Sequence, residues 1–193
     1  MRSVYSEWIA RRPMRLAEKL WRVPWPVLAT TCILAGIGAV TLYSVSGGSF
    51  IPWGERHTLR FLVLLVVVVI MATIPLEKWI ALAYPAYAVA LLMLALVPFI
   101  GVDALGAKRW IGVGAISFQP SELMKLALVA ALARYYLRLP PGEVRKAANV
   151  LVPLGMIAVP VLLTLQQPDL GSAALFVALG LSLMFLAGVP VRY

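Results

Sequence analysis

Charge is what this 193-residue sequence has least of. Only 13% of its residues are Asp, Glu, Lys or Arg, about half the share found in soluble domains. With 62% hydrophobic residues and a mean hydropathy of +0.92, a water-soluble globule is excluded. Chain length is better read as a number of membrane spans of about 20 apolar residues each. Acidic residues are scarcer still, eight against 17 Lys and Arg. The resulting net charge of +9 does not point to nucleic acid. The cations lie between apolar runs, where they orient a chain and meet anionic lipid headgroups. Cys32, the single cysteine, lies in the first apolar run; no intrachain disulfide can form, and it reads as a buried, inert thiol. The single histidine, His57, beside Glu55 and Arg56, reads as a solvated loop residue. No metal-ligand cluster, nucleophile triad, Walker-type loop or fixed-period repeat is found, and no cofactor signature.

What is present is a series of six apolar runs, at approximately 27–46, 59–75, 79–100, 120–137, 150–165 and 170–189. They predict an all-α, polytopic membrane bundle of about six transmembrane helices. The second run is nearly pure Leu, Val and Ile and is expected to face lipid. Pro85, Pro98, Pro153 and Pro160 fall inside runs; each removes a backbone donor, which a membrane bundle tolerates where a neighbour satisfies the freed carbonyl. Ala35 with Ala39, and Ala174 with Ala178, offer close helix contacts. An N-terminus in the cytoplasm puts twelve cations inside: Arg2, Arg11, Arg12, Arg15, Lys19, Arg22, Lys78, Arg134, Arg138, Arg145, Lys146 and Arg192. Four remain outside (Arg56, Arg60, Lys108 and Arg109), with Lys125 in a span. This bias predicts both termini of the chain in the cytoplasm. The basic N-terminal region is too long for a cleaved signal peptide. Two divisions follow: a basic cytoplasmic tail over 1–25 and a transmembrane domain over 26–193. Within the tail, residues 14–22 put Met14, Ala17, Leu20 and Trp21 on one helical face. Two readings stand, a short interfacial helix or a disordered tail.

Chemistry is concentrated in two outer segments. The first, 101–125, begins as a glycine-rich loop with Lys108, Arg109 and Trp110 adjacent. Guanidinium forks grip phosphate oxygens and lysine adds a point charge; the plainer reading is a solvated loop with an interfacial tryptophan. Pro120 then suits a first helical turn. Ser121, Glu122 and Lys125 follow, with Glu122 and Lys125 three apart on one face. They are either a self-satisfied ion pair or part of a polar cavity. The outward helix N-terminus also attracts anions. The second segment, Gln166 to Ser172, holds Asp169. That carboxylate either caps the next helix or faces the same outer cavity.

Gly106 to Ile111 (GAKRWI), Phe118 to Glu122 (FQPSE) with Lys125, and Gln167 to Gly171 (QPDLG) resemble the SEDS family of shape, elongation, division and sporulation proteins. The resemblance covers the chain from about Trp25 onward. Leu170 after Asp169 is closer to the family's elongation branch than to its division branch, which tends to carry Phe there.

The resemblance implies a peptidoglycan glycosyltransferase that polymerises lipid II, a disaccharide-pentapeptide on undecaprenyl diphosphate, at the outer face of the bacterial inner membrane. It implies a class B penicillin-binding protein as transpeptidase partner, within the rod-shape complex. Lys108, Arg109, Trp110, Gln119, Ser121, Glu122, Lys125 and Asp169 become the expected substrate-binding set, and a divalent cation the one ion to look for. SEDS proteins have about ten spans, and their catalytic Asp lies in an outer loop of the second half. No residue of this chain is therefore expected to be catalytic, and the chain reads as part of a longer family member. A flippase for lipid-linked precursor and a non-catalytic scaffold for the transpeptidase are the alternatives.

Overall fold

The computed structural model describes residues 15–21, 23–104, 107–113, 116–140 and 142–190. The chain divides into two compact units, Met1–Pro75 and Leu76–Tyr193. Met14 and Arg22 of the expected tail helix lie outside the described residues.

In the first unit, α1 (Leu16–Trp21), α2 (Trp25–Val45) and α3 (Trp53–Thr73) follow one another. The Lys19 ammonium donates to the Thr73 carbonyl at 2.8 Å, a cation on the open C-terminal end of α3. Trp25 Nε1 donates to the Leu20 carbonyl at 3.1 Å. Two expectations are corrected here. His57 is not a loop residue, because α3 begins at Trp53 and carries Glu55, Arg56 and His57 on its first turns. The His57 ring is half-buried, with Nε2 3.1 Å from the Ala35 carbonyl of α2. Hydropathy finds the hydrocarbon part of a helix and misses the polar turns that extend it. Cys32 is exposed rather than buried, since α2 has no buried residue at all.

The second unit contains α4 (Leu76–Ile100), three short strands, α5 (Pro120–Arg138), a 3-10 turn at Glu143–Arg145, α6 (Ala148–Leu165) and α7 (Leu170–Leu186). The segment between α4 and α5 is not a free loop: β1 (Val102–Ala104), β2 (Ala107–Val113) and β3 (Ile116–Phe118) form a small antiparallel ribbon within the helical bundle, in the order β1-β2-β3. Its alternating Arg109, Trp110 and Ile111 suit a pleated, half-buried surface better than a free loop. Among the described helices α2, α3, α4 and α6 are long and apolar enough to cross a membrane. The fourth run, α5, carries Glu122, Lys125, Arg134 and Arg138, and the sixth, α7, has 17 residues.

α5 is nonetheless the inside of the unit. Pro120, Ser121, Met124, Ala127, Leu128, Ala131 and Leu132 form a buried stripe at helical spacing. Leu94 of α4 and Phe176 of α7 close the core around it, both fully buried. α6 and α7 meet at Gly180, where an added Cβ would stand 2.4 Å from Ile157 Cδ1. Ala174 and Ala178, expected to offer a close helix contact, are exposed. Residues two positions away sit on a different face of the same helix.

The four internal prolines share one solution. A proline deprives the carbonyl four residues earlier of its helical donor. Pro85 frees Ala81, and Arg134 donates to the carbonyls of Ala81 at 2.6 Å and Ile80 at 2.9 Å while lying 4.5 Å over the Tyr84 ring. Pro98 frees Leu94, and the Gln167 side-chain amide donates there at 2.8 Å. Pro153 frees Asn149, which accepts from the Tyr135 hydroxyl at 3.3 Å. Pro160 frees Met156, which accepts from the Tyr87 hydroxyl at 2.8 Å. Each orphan carbonyl receives a side-chain donor from elsewhere in the unit, as a lipid environment demands. Arg134, one of the twelve cations expected on the cytoplasmic side, is thereby turned into the bundle.

Candidate functional site

β2 carries the first group of candidates. Successive side chains of a strand point to opposite faces, so Lys108 and Trp110 share one face, and Arg109 and Ile111 the other. Ile111 is buried, Lys108 is exposed and Trp110 is 37% exposed. Arg109 turns toward the α6–α7 corner, where Nε donates to the Gln167 carbonyl at 3.2 Å and an Nη to the Pro168 carbonyl at 2.5 Å. The two adjacent cations therefore leave β2 on opposite faces of the strand. Gly101, ahead of the ribbon, has no room for a side chain, since an added Cβ would meet the Val97 carbonyl oxygen at 2.3 Å.

The second group sits where α5 and α7 begin. Asp169 Oδ1 accepts the Ser172 backbone N–H at 3.1 Å, and Oδ2 accepts the Ser172 hydroxyl at 2.7 Å. The same Oδ2 accepts the Gln119 amide at 3.0 Å. Asp169 thus caps α7 and ties it to the residue ahead of α5. The Ser172 hydroxyl lies 3.3 Å from the Ser121 hydroxyl, and all three of Ser121, Asp169 and Ser172 are buried. Gln119, Ser121 and Asp169 are brought together as one polar knot, adjacent to the Arg109 contacts.

Glu122 and Lys125 stand apart from this knot. They pair with each other at 2.8 Å, Glu122 with 59% of its side chain exposed and Lys125 with 19%. Ser121 turns to α7, while Lys125 turns to Glu122. The eight expected residues hence divide into an exposed Lys108–Trp110 face, a buried knot that Arg109 adjoins, and an ion pair open on one side.

Sequence reasoning passed over Gln167 as a site residue, although it stood within a recognised motif. Its side chain is 6% exposed and holds the Leu94 carbonyl. The signal was there: Pro98 marks an orphan carbonyl, and a glutamine at a helix corner is a ready donor. Among the described residues no group of three His, Cys, Asp or Glu could hold a metal. Asp169 and Glu122 are both taken up by protein donors.

Comparison with known proteins follows the same geometry. Residues 25–193 match the family model FTSW_RODA_SPOVE, described as cell cycle protein. A probable peptidoglycan glycosyltransferase FtsW of Tolumonas auensis is 35% identical over 171 residues, 86% of this chain and 44% of the relative. The peptidoglycan glycosyltransferase MrdB of Escherichia coli K12 is 35% identical over 156 residues, 80% of this chain and 41% of the relative. The crystal structure of the Thermus thermophilus rod shape determining protein RodA superposes with a TM-score of 0.77 at 29% identity, covering 89% of this chain and 56% of that one. A chain of a peptidoglycan synthase complex superposes with a TM-score of 0.76 at 30% identity, covering 87% of this chain and 48% of that one. The chain spans less than half the length of these curated relatives.

Proposed function

Since the chain belongs to the FtsW, RodA and SpoVE family of cell cycle proteins, we propose that it supplies the membrane scaffold and part of the substrate site of a peptidoglycan glycosyltransferase. The substrate is lipid II, polymerised at the outer face of the bacterial inner membrane, with both termini of this chain in the cytoplasm. The carrying observation is the agreement between relatives named for this activity and an exposed Lys108–Trp110 face on a ribbon anchored to the bundle.

Glycosyl transfer from a polyprenyl diphosphate needs charge stabilisation at the leaving group and a base for the attacking hydroxyl. Lys108 meets the first need, with Lys125 second and the Trp110 indole at headgroup depth. Arg109 contributes through the remaining N–H groups of its guanidinium. For the second need the two carboxylates of the described site are already engaged: Asp169 caps α7 and Glu122 is paired with Lys125. The base lies in the family's second half. A class B penicillin-binding protein is the partner that crosslinks the strands; the likeness to a chain from a complex coordinating polymerization and crosslinking supports this pairing. Leu170 after Asp169 supports the elongation branch and the rod-shape complex.

The test is gel detection of glycan strands from labelled lipid II. Purified 1–193 makes none, with or without a partner transpeptidase, and the same chain joined to a RodA-like second half makes them. Strands made by 1–193 alone and lost on Asp169→Asn would overturn this division of labour.

A further inference from the structure

Gln167 uses its two ends on two different elements. Its side-chain amide donates to the Leu94 carbonyl that Pro98 has freed on α4, and its backbone carbonyl accepts Arg109 Nε from β2. Pro168, the next residue, accepts the other Arg109 nitrogen. The corner between α6 and α7 is therefore clamped to α4 by one residue, and β2 is hooked to that corner by another. Asp169 completes the corner by capping α7 and holding Gln119 at the far end of the ribbon. β2 is fixed at Arg109 and, beyond β3, at Gln119.

We infer that Gln167 is a positioning residue for the Lys108–Trp110 face, acting through Arg109, which is a tether before it is a ligand. The kink at Pro98 is what makes this arrangement available: an unbroken α4 would consume the Leu94 carbonyl internally and leave Gln167 nothing to hold. An anchored arginine next in sequence keeps the exposed Lys108 in one place, and preset cations lose less on binding an anion than mobile ones. The functional half of this inference, that the positioned face meets a diphosphate, rests on the reading proposed above; the tether itself does not.

The experiment uses the 1–193 chain in nanodiscs, with Cys32→Ala and spin labels at Ser117→Cys on β3 and Leu170→Cys on α7, both exposed. Three readouts are taken: thermal stability, the label-to-label distance distribution, and binding of undecaprenyl diphosphate. Gln167→Leu should lower the melting temperature, broaden the distance distribution and weaken binding about tenfold, the equivalent of 1.4 kcal/mol. Adding Pro98→Ala returns an N–H to the Leu94 carbonyl. The double variant should therefore regain stability while its distances stay broad and its binding stays weak. Lys108→Ala should weaken binding with narrow distances. Recovery of distances and binding together with stability would reduce Gln167 to a carbonyl partner and overturn the inference. So would narrow distances in Gln167→Leu. A parent chain that binds no undecaprenyl diphosphate refutes the functional reading alone, and the distances still judge the tether.

Discussion

The Tyr87 hydroxyl donates to the Met156 carbonyl at 2.8 Å across the α4–α6 contact, and Met156 is the residue whose helical donor Pro160 has removed. The pairing joins two helices through a defect in one of them. Tyr87→Phe should destabilise the chain by about 1 kcal/mol, in line with interhelical hydrogen bonds in membranes. In a Pro160→Ala background, where residue 160 again donates to Met156, the same change should cost little. Subunit unfolding in mixed detergent measures both, and an equal cost in the two backgrounds would refute the pairing.

Asp169 is predicted to act first as a cap. Asp169→Ala should cost about 1–2 kcal/mol, the usual loss for a helix cap. Asp169→Asn keeps an oxygen for the Ser172 N–H and should cost less than half of that. The same unfolding measurement separates them, and equal losses would put the carboxylate's charge, rather than its cap, in the leading role.

Topology is checked by labelling. In a Cys32→Ala background, single cysteines at Ser49 and Ser117 should react with an impermeant maleimide in spheroplasts, and one at Glu77 should not. All three positions are exposed. The reverse pattern would place the termini outside the cytoplasm.

Acid should loosen the Glu143–Arg145 turn first. Glu143 has its carboxyl held below the usual range by the hydrogen bond from Lys146 at 2.8 Å and by that ammonium's charge, with Asn149 adding a weaker bond at 3.4 Å. A depressed folded pKa means the contribution is present above the ordinary Glu value, about 4.3, and is lost as pH falls through the folded value. Amide exchange over residues 143–149 should quicken below about pH 4, and Glu143→Gln should remove that pH step. A step unchanged in Glu143→Gln would assign it to another group.

Much of this architecture was legible in the sequence. Six apolar runs became six long helices with ends shifted by up to six residues, because hydropathy reports the hydrocarbon-facing stretch and helices continue into polar turns. The motifs named the family, and Pro85, Pro98, Pro153 and Pro160 announced that four carbonyls would need partners. Their identities were not legible. Arg134, Gln167, Tyr135 and Tyr87 lie far from those carbonyls along the chain, by up to 73 residues for Gln167, and spacing carries no signal over that distance.

The candidate site shows the same boundary. Local rules gave the Glu122–Lys125 pair and the Asp169 cap, since both partners lie within one turn of a helix. Tertiary structure alone decided that Lys108 and Arg109 leave β2 on opposite faces, that Ser121 turns to α7, and that Gln119 reaches Asp169. A side chain's direction depends on whether its segment is loop or strand, and on which helix packs against it. The sequence determined the membrane, the helices and the family; the packing of α4, α5, α6 and α7 decided which polar groups became structure and which were left facing out.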